Sequence, residues 1–178
     1  MPERRIESRR AFEGRLLSVR VDEVELDNGR RATREVVEHR GAVGILAWDD
    51  GRLAMVSQWR TAADSELLEI PAGTIDPGET PSSTAERELA EECALRADSW
   101  EAGPSFFTAP GFCTERLTIF LATGLHLTEM TPPEDELLES SWLTLDQALA
   151  AIEDGRIVDA KSLVGILWLA RRLDPALG

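Results

Sequence analysis

The sequence predicts an α+β sandwich. Three observations lead there: two hairpin signatures within the first sixty residues, one amphipathic helix in the middle, and two helices at the C-terminal end. Val19 to Leu26 alternates apolar and polar residues, Asp27-Asn28-Gly29 supplies a turn that needs positive φ, and Arg34 to Glu38 continues with β-branched residues. A second pair follows at once, Val43 to Trp48 and Leu53 to Trp59 around Asp49-Asp50-Gly51, which implies an antiparallel or mixed sheet. From Pro81 to Leu95 the period becomes helical, with Pro at the start and Ala85, Leu89 and Cys93 spaced by four on one stripe. Short strands are expected at Trp100 to Phe107, Leu117 to Ala122 and Ser140 to Leu143. Asp146 to Glu153 opens a helix ending near Gly155, and Ala160 to Arg172 forms the last helix, its cations at the C-terminal end.

The 178 residues suit one domain, or one domain with an appendage. Folding at that size buries about 70% of the unfolded chain's surface, so a core forms without disulfide or zinc staples. Nineteen Lys+Arg against 33 Asp+Glu give a net charge of −14. So acidic a chain repels a phosphate backbone, which argues against a nucleic-acid binder; if the substrate carries phosphates, divalent cations are expected to mediate. The longest strongly apolar stretch, Leu163 to Ala170, is far short of the ~20 residues of a membrane span. No apolar run follows Met1 to Arg5 as in a secretory signal, and Cys93 and Cys113 alone make no disulfide framework. The expectation is a soluble, cytoplasmic, reduced protein. His39 and His126 lack ligand-spaced partners and read as structural, Cys93 as core, and Trp48, Trp59, Trp142 and Trp168 as packed; Cys113 has no evident catalytic His.

The segment from Gly73 to Leu95 is the most informative. On a helix Glu88, Glu91 and Glu92 lie three and four positions apart and share one face beside the apolar stripe. Like charges at that spacing destabilise a helix by a few tenths of a kcal/mol per pair unless a cation is present. Clustered hard oxygens suit Mg²⁺ or Mn²⁺. Arg87 reaches Glu91 one turn on. For an acidic helix in isolation, the ordinary interpretation is a solvated glutamate face.

Spacing alters that balance. Gly73, Glu79, Arg87, Glu88, Leu89, Glu91, Glu92 and Leu95 stand in the register of the Nudix box, and a chance match is on the order of 10⁻⁵ from residue frequencies. The segment resembles that box throughout except at Ala94, where the family has Gly; the departure affects the helix cap and removes no ligand. The resemblance implies a hydrolase of nucleoside diphosphates linked to another moiety, built as a mixed sheet sandwiched between helices with an N-terminal β-hairpin segment. By position it implies Glu88, Glu91 and Glu92 as metal ligands with the Ala72 carbonyl assisting, Arg87 orienting a glutamate, and Glu79 supporting the loop or binding metal. Mg²⁺ is the implied cofactor, with Mn²⁺ as the alternative. Bound metal would neutralise the diphosphate and activate water.

The flanks extend the resemblance from roughly Arg15 to Leu169. Gln58-Trp59-Arg60, Leu68 to Gly73, Ala109-Pro110-Gly111-Phe112, Glu134 to Glu136 and Asp159-Ala160 are similar to the ADP-ribose pyrophosphatase branch, although Ala109 and Thr114 depart from it. Arg60 is a candidate for the diphosphate or terminal ribose, its guanidinium being a bidentate donor. Glu69 is a candidate for substrate or metal, or else a structural ion pair. Pro110, Gly111 and Phe112 are candidates for the ribose or base pocket, or else a simple turn. The branch implies a catalytic glutamate at Glu136, with Glu134 and Glu139 as rivals. Catalysis is thus expected of Arg87, Glu92 and Glu136.

The resulting expectation is Mg²⁺-dependent hydrolysis of ADP-ribose or a related nucleoside diphosphate sugar to AMP and a sugar phosphate. CDP-choline, GDP-mannose or an oxidised nucleotide are alternative substrates, and a non-catalytic ADP-ribose sensor is the alternative class. Residues 1–40 are expected as a β-hairpin and dimerisation segment and 41–178 as the hydrolase domain. The partner set is a small-molecule substrate and a second copy of the chain, with no nucleic acid and no membrane.

Overall fold

The computed structural model describes residues 3–129 and 138–174, and its chain divides into two compact units: residues 1–41 with 107–116, and residues 42–106 with 117–178.

The first unit holds a three-stranded antiparallel sheet in the order β1 (Arg4–Glu13), β2 (Ser18–Glu25), β3 (Arg31–Glu38). The β2–β3 hairpin is the one expected. Its register runs from Ser18 opposite Glu38 to Glu25 opposite Arg31, and Gly29 takes φ +77° in the turn. β1 was not expected from the sequence, because its Arg- and Glu-rich residues carry no apolar alternation; ion pairs such as Arg4 to Glu25 at 2.8 Å dress its pairing instead. The loop 108–115 is tied to β3, where the Val37 N–H donates to the Phe112 carbonyl at 2.7 Å and the Thr114 N–H donates to the Val37 carbonyl at 2.9 Å.

The second unit is built on β4 (Ala42–Asp49), β5 (Arg52–Arg60), β6 (Ser65–Glu69), β7 (Ala72–Thr74), α1 (Pro81–Cys93), β8 (Leu95–Phe107), β9 (Arg116–Leu127), β10 (Glu139–Thr144), α2 (Leu145–Glu153) and α3 (Ala160–Leu173). The sheet runs β10-β5-β4-β9-β8, with β6 on β5 and β7 on β4. β4 is parallel to β9 and antiparallel to β5 and β7, so the sheet is mixed. Central β4 is covered on both faces. Val43, Ile45 and Ala47 pack with Ala85 and Leu89 of α1, whereas Ala42 and Leu46 pack with Ala148 and Ala151 of α2 and Ile166 and Leu169 of α3. Period-two alternation thus sends successive residues of one strand into two cores, each large apolar side chain contributing about 1.5–3 kcal/mol. The expected sandwich is present, as are the central and the two terminal helices.

Three expectations need correction. The second hairpin is only two residue pairs deep, Trp48 with Leu53 and Asp49 with Arg52, because β4 turns to β9 and β7 while β5 turns to β6 and β10. β6 and β7 were missed, being short strands whose pairing is set by tertiary context. Trp59 and Trp142 are 59% and 41% exposed rather than packed. Trp142 lies on edge strand β10, and its neighbour Leu143 faces the α2–α3 core, which turns Trp142 to the other side. Among the described residues no helix is long and apolar enough to cross a membrane.

Candidate active site

The loop from Ala72 to Thr80 leaves the sheet centre and enters α1. β7 fixes its start, Gly44 pairing with Ala72 and Val43 with Gly73. Its end is a capping box: Thr80 Oγ1 accepts from the Ser83 N–H at 3.2 Å, and the Thr80 N–H donates to Ser83 Oγ at 2.9 Å, with Pro81 pre-set at the first helical position. The helix stops at Ala94, which is left-handed at φ +53°, ψ 38°, and donates its N–H to the Ala90 carbonyl at 3.1 Å. Ala94 therefore occupies the conformation that glycine would hold without strain.

Arg87 organises the glutamates. Its Nε and Nη2 grip Glu79 at 2.9 and 3.0 Å, and its Nη1 donates to both Glu88 at 2.8 Å and Glu91 at 2.9 Å. Sequence spacing anticipated only the Glu91 contact. Glu79 also accepts from Thr84 Oγ1 at 2.8 Å and from the Asp76 N–H, and the Arg87 hydrogen bonds lead in lowering its carboxyl to about 2. Glu92, nearly buried, accepts the Ala72 N–H at 2.8 Å, so loop and helix are joined at both ends. Glu88 is also buried; its carboxylate lies over Gly73, where a β-carbon would meet Glu88 Oε1 at 1.8 Å.

Glu79, Glu88 and Glu91 surround the Arg87 guanidinium, with Asp76 at 4.0 Å, and Glu92 stands on the same helix; the four glutamates against the one arginine balance at 1 − 4 = −3. Excess negative charge on hard oxygens, half removed from water, is a donor set for a divalent cation. Arg87 holds three of the four, and among the described residues no three acidic, His or Cys side chains already converge as a metal cage.

A second cluster lies on β5, β6 and the start of α3. Glu69 is 2% exposed and takes three donors: Arg60 through Nε at 3.1 Å and Nη2 at 2.5 Å, and Lys161 through Nζ at 2.7 Å. Burial alone would raise this carboxyl, but Arg60 and Lys161 outweigh it and hold it below the usual range. Of the two interpretations left open for Glu69, the ion pair is the arrangement present. Lys161 itself escaped sequence reasoning. The signal was a cation in the first turn of a helix, where the dipole disfavours it.

The other candidates are placed as follows. Pro110, Gly111 and Phe112 are in the loop of the first unit, Phe112 is 59% exposed, and they border a cavity of about 440 Å³ with Val36, Phe107 and Arg34. Glu139 is exposed and begins β10 opposite Ser57; Glu134 and Glu136 lie outside the described residues. His39 Nδ1 accepts from the Gly41 N–H at 3.1 Å, in keeping with a structural role, and burial pushes the Cys93 thiol up to about 12. A larger cavity, about 760 Å³, lies against the face of α1 bearing Ser83, Arg87 and Ala90, across the helix from Glu88 and Glu92. Volume alone is a weaker guide than convergent chemistry, and the glutamate cluster is the better candidate.

Comparison with known proteins places the whole chain. Residues 38–163 match the NUDIX domain and residues 3–37 the nucleoside diphosphate sugar hydrolase N-terminal domain. The chain is 39% identical to the methanol dehydrogenase activator of Bacillus methanolicus, covering 94% of this chain and 92% of that one. It is 38% identical to an ADP-ribose pyrophosphatase of Bacillus subtilis (95% and 93% covered) and 40% identical to one of Mycobacterium tuberculosis (91% and 80% covered). The crystal structure of an ADP compounds hydrolase superposes with a TM-score of 0.87 at 23% identity over 99% of this chain and 96% of that one, a likeness of fold. With the glutamate cluster in register and the domain match spanning most of the sequence, the chain belongs to the Nudix hydrolase family.

Proposed function

We propose that this chain hydrolyses the diphosphate of ADP-ribose, ADP-ribose and water giving AMP and ribose 5-phosphate, with Mg²⁺ as the working cation. The observation that carries the proposal is the Arg87-centred glutamate cluster closed over Gly73. The two pyrophosphatase relatives supply the substrate. Glu88, Glu91 and Glu92, with the Ala72 carbonyl, would hold the cation. When bound it supplies charge neutralisation of the diphosphate and a more acidic water. Arg87 keeps Glu88 and Glu91 from splaying, anchored in turn on Glu79, and Glu92 is positioned by the Ala72 N–H. Arg60, oriented by Glu69, is the diphosphate contact. Glu136, with Glu134 and Glu139 as rivals, is proposed as the further catalytic glutamate.

The protein is further proposed to act as a homodimer in the cytoplasm. All ten residues of β1 are exposed, including Ile6 at 37% and Phe12 at 54%, and β2 is the only strand hydrogen-bonded to β1 among the described residues. A long, one-sided edge strand with apolar side chains invites a second chain. Free Cys93 and Cys113 suit a reducing compartment. Light scattering should give twice 19.6 kDa, and a monomer mass rejects the dimer.

The deciding assay is AMP release from ADP-ribose with Mg²⁺ and then with chelator, beside CDP-choline, GDP-mannose and an oxidised nucleotide. Chelator-sensitive release with ADP-ribose preferred supports the proposal; turnover of another substrate alone redirects it, and no turnover favours a sensor. The Bacillus methanolicus relative motivates one second reading, activation of a methanol dehydrogenase, checked by adding the chain to that enzyme's assay.

A further inference from the structure

The buried charges beneath Arg60 exceed what an Arg–Glu pair needs. Lys161 and Asp159 are 12% and 14% exposed, and the four groups Arg60, Lys161, Glu69 and Asp159 sum to zero charge. Asp159 caps α3 through Oδ2, which accepts from both the Ser162 N–H at 3.2 Å and Lys161 Nζ at 2.8 Å. Its Oδ1 is buried and has no hydrogen-bond partner among the described residues. The cap thus holds Lys161 in place while leaving one of its own oxygens unsatisfied. Removing that many charges from water is costly, and such arrangements persist where orientation matters.

What is being oriented follows from guanidinium geometry. Arg60 spends the edge formed by Nε and Nη2 on Glu69, and its side chain is 38% exposed. The opposite edge, Nη1 with the second N–H of Nη2, is the planar fork that fits two oxygens of a phosphate. The Glu69 carboxylate therefore sets the plane of that fork. Lys161 in turn pins Glu69 Oε2, the oxygen that Nη2 also uses. The next residue of α3, Ser162, accepts the Ile70 N–H at 2.9 Å, and two residues on, the Ala72 N–H holds Glu92. One turn of α3 thus braces the short segment that serves both Arg60 and Glu92.

We propose that Lys161 is a positioning residue, which through Glu69 fixes the Arg60 guanidinium so that its outward edge receives the substrate diphosphate. It touches no substrate itself. This inference rests on the reading that a nucleoside diphosphate occupies the site.

The test is a double-mutant cycle of Lys161→Met and Arg60→Ala, read as KM and kcat for ADP-ribose and, independently of turnover, as calorimetric affinity for ADP in Mg²⁺. Loss of one charge-assisted hydrogen bond predicts that Lys161→Met raises KM about tenfold or more with kcat little changed. Because Lys161 acts through Arg60, adding Lys161→Met to Arg60→Ala costs little more. Full additivity, or a fall in kcat at unchanged KM, overturns the proposal, since a merely structural lysine acts alike in both backgrounds. If Lys161→Met does not fold, the same cycle is run with Lys161→Gln, which keeps a donor to Glu69 and is expected to restore part of the ADP affinity in the wild-type background only. If the wild type binds ADP but does not turn over ADP-ribose, the substrate reading fails while the ADP cycle still decides the role of Lys161.

Discussion

The carboxylate of Glu88 occupies the space that a side chain on residue 73 would need, with Oε1 1.8 Å and Cδ 1.9 Å from the place of a β-carbon on Gly73. Glycine is required there by proximity, not by φ. Gly73→Ala must displace Glu88, which Arg87 Nη1 also holds at 2.8 Å, so the whole cluster shifts. A misplacement of about 1 Å at a catalytic group costs on the order of 10²-fold, so kcat/KM should fall by about that factor. The fold should survive, because the clash is with the end of a side chain. Kinetics beside circular dichroism checks both; full activity would detach Glu88 from the chemistry.

Ala94 bears the opposite relation to glycine. It is left-handed at φ +53° with a β-carbon in place, a conformation costing roughly 1–2 kcal/mol outside glycine. Ala94→Gly removes that strain and gives back part of it as unfolded-chain entropy, for a net gain of about 0.5–1 kcal/mol. The thermal midpoint should rise by roughly 2–4 °C per kcal/mol at this size, with activity unchanged. A lower midpoint would contradict the cap geometry.

Glu79 predicts a pH dependence. Its folded carboxyl lies near 2 against the ordinary 4.5, chiefly through the Arg87 hydrogen bonds. A depressed folded value means its stabilisation is complete above the unfolded value and is lost as pH falls from about 4.5 to about 2. Denaturant unfolding in chelator, from about pH 6 to about pH 2, should therefore show Glu79→Gln less stable than wild type at the upper end, the gap closing toward the lower. A constant gap would assign the effect to packing and not to ionisation.

How much of this the sequence disclosed depends on whether a residue's partner is local. Glu88, Glu91 and Glu92 were legible because helical spacing alone puts them together, and Ala94 because a cap is a local event. The β2–β3 hairpin, α1, α2 and α3 were legible for the same reason. Lys161 was not, since its partner Glu69 is 92 residues away and only the packing of α3 on the sheet unites them. β7 was hidden because three residues carry no period, and the exposure of Trp142 because period-two alternation names two faces without saying which one is covered. Glu79 stood in the motif, but its grip on Arg87 crosses a loop whose shape no spacing rule fixes.

Glu92 separates chemistry from architecture most cleanly. Its Oε2 accepts the Ala72 N–H at 2.8 Å, a bond that a glutamine carbonyl also accepts, so Glu92→Gln keeps the link between loop and helix. What it removes is one negative charge of the α1 glutamates, and with it an anionic ligand that the proposed cation site would use. Local repulsion falls as well, so the thermal midpoint in chelator should stay within about 2 °C of wild type or rise. Turnover should fall by about a thousandfold or more, since a neutral amide oxygen is a much weaker ligand for a hard divalent ion. Raising Mg²⁺ should recover part of the loss if binding is what failed, giving a shifted metal titration. Unchanged turnover at low Mg²⁺ would remove Glu92 from the site, whereas loss of turnover together with a collapsed midpoint would make it a structural residue.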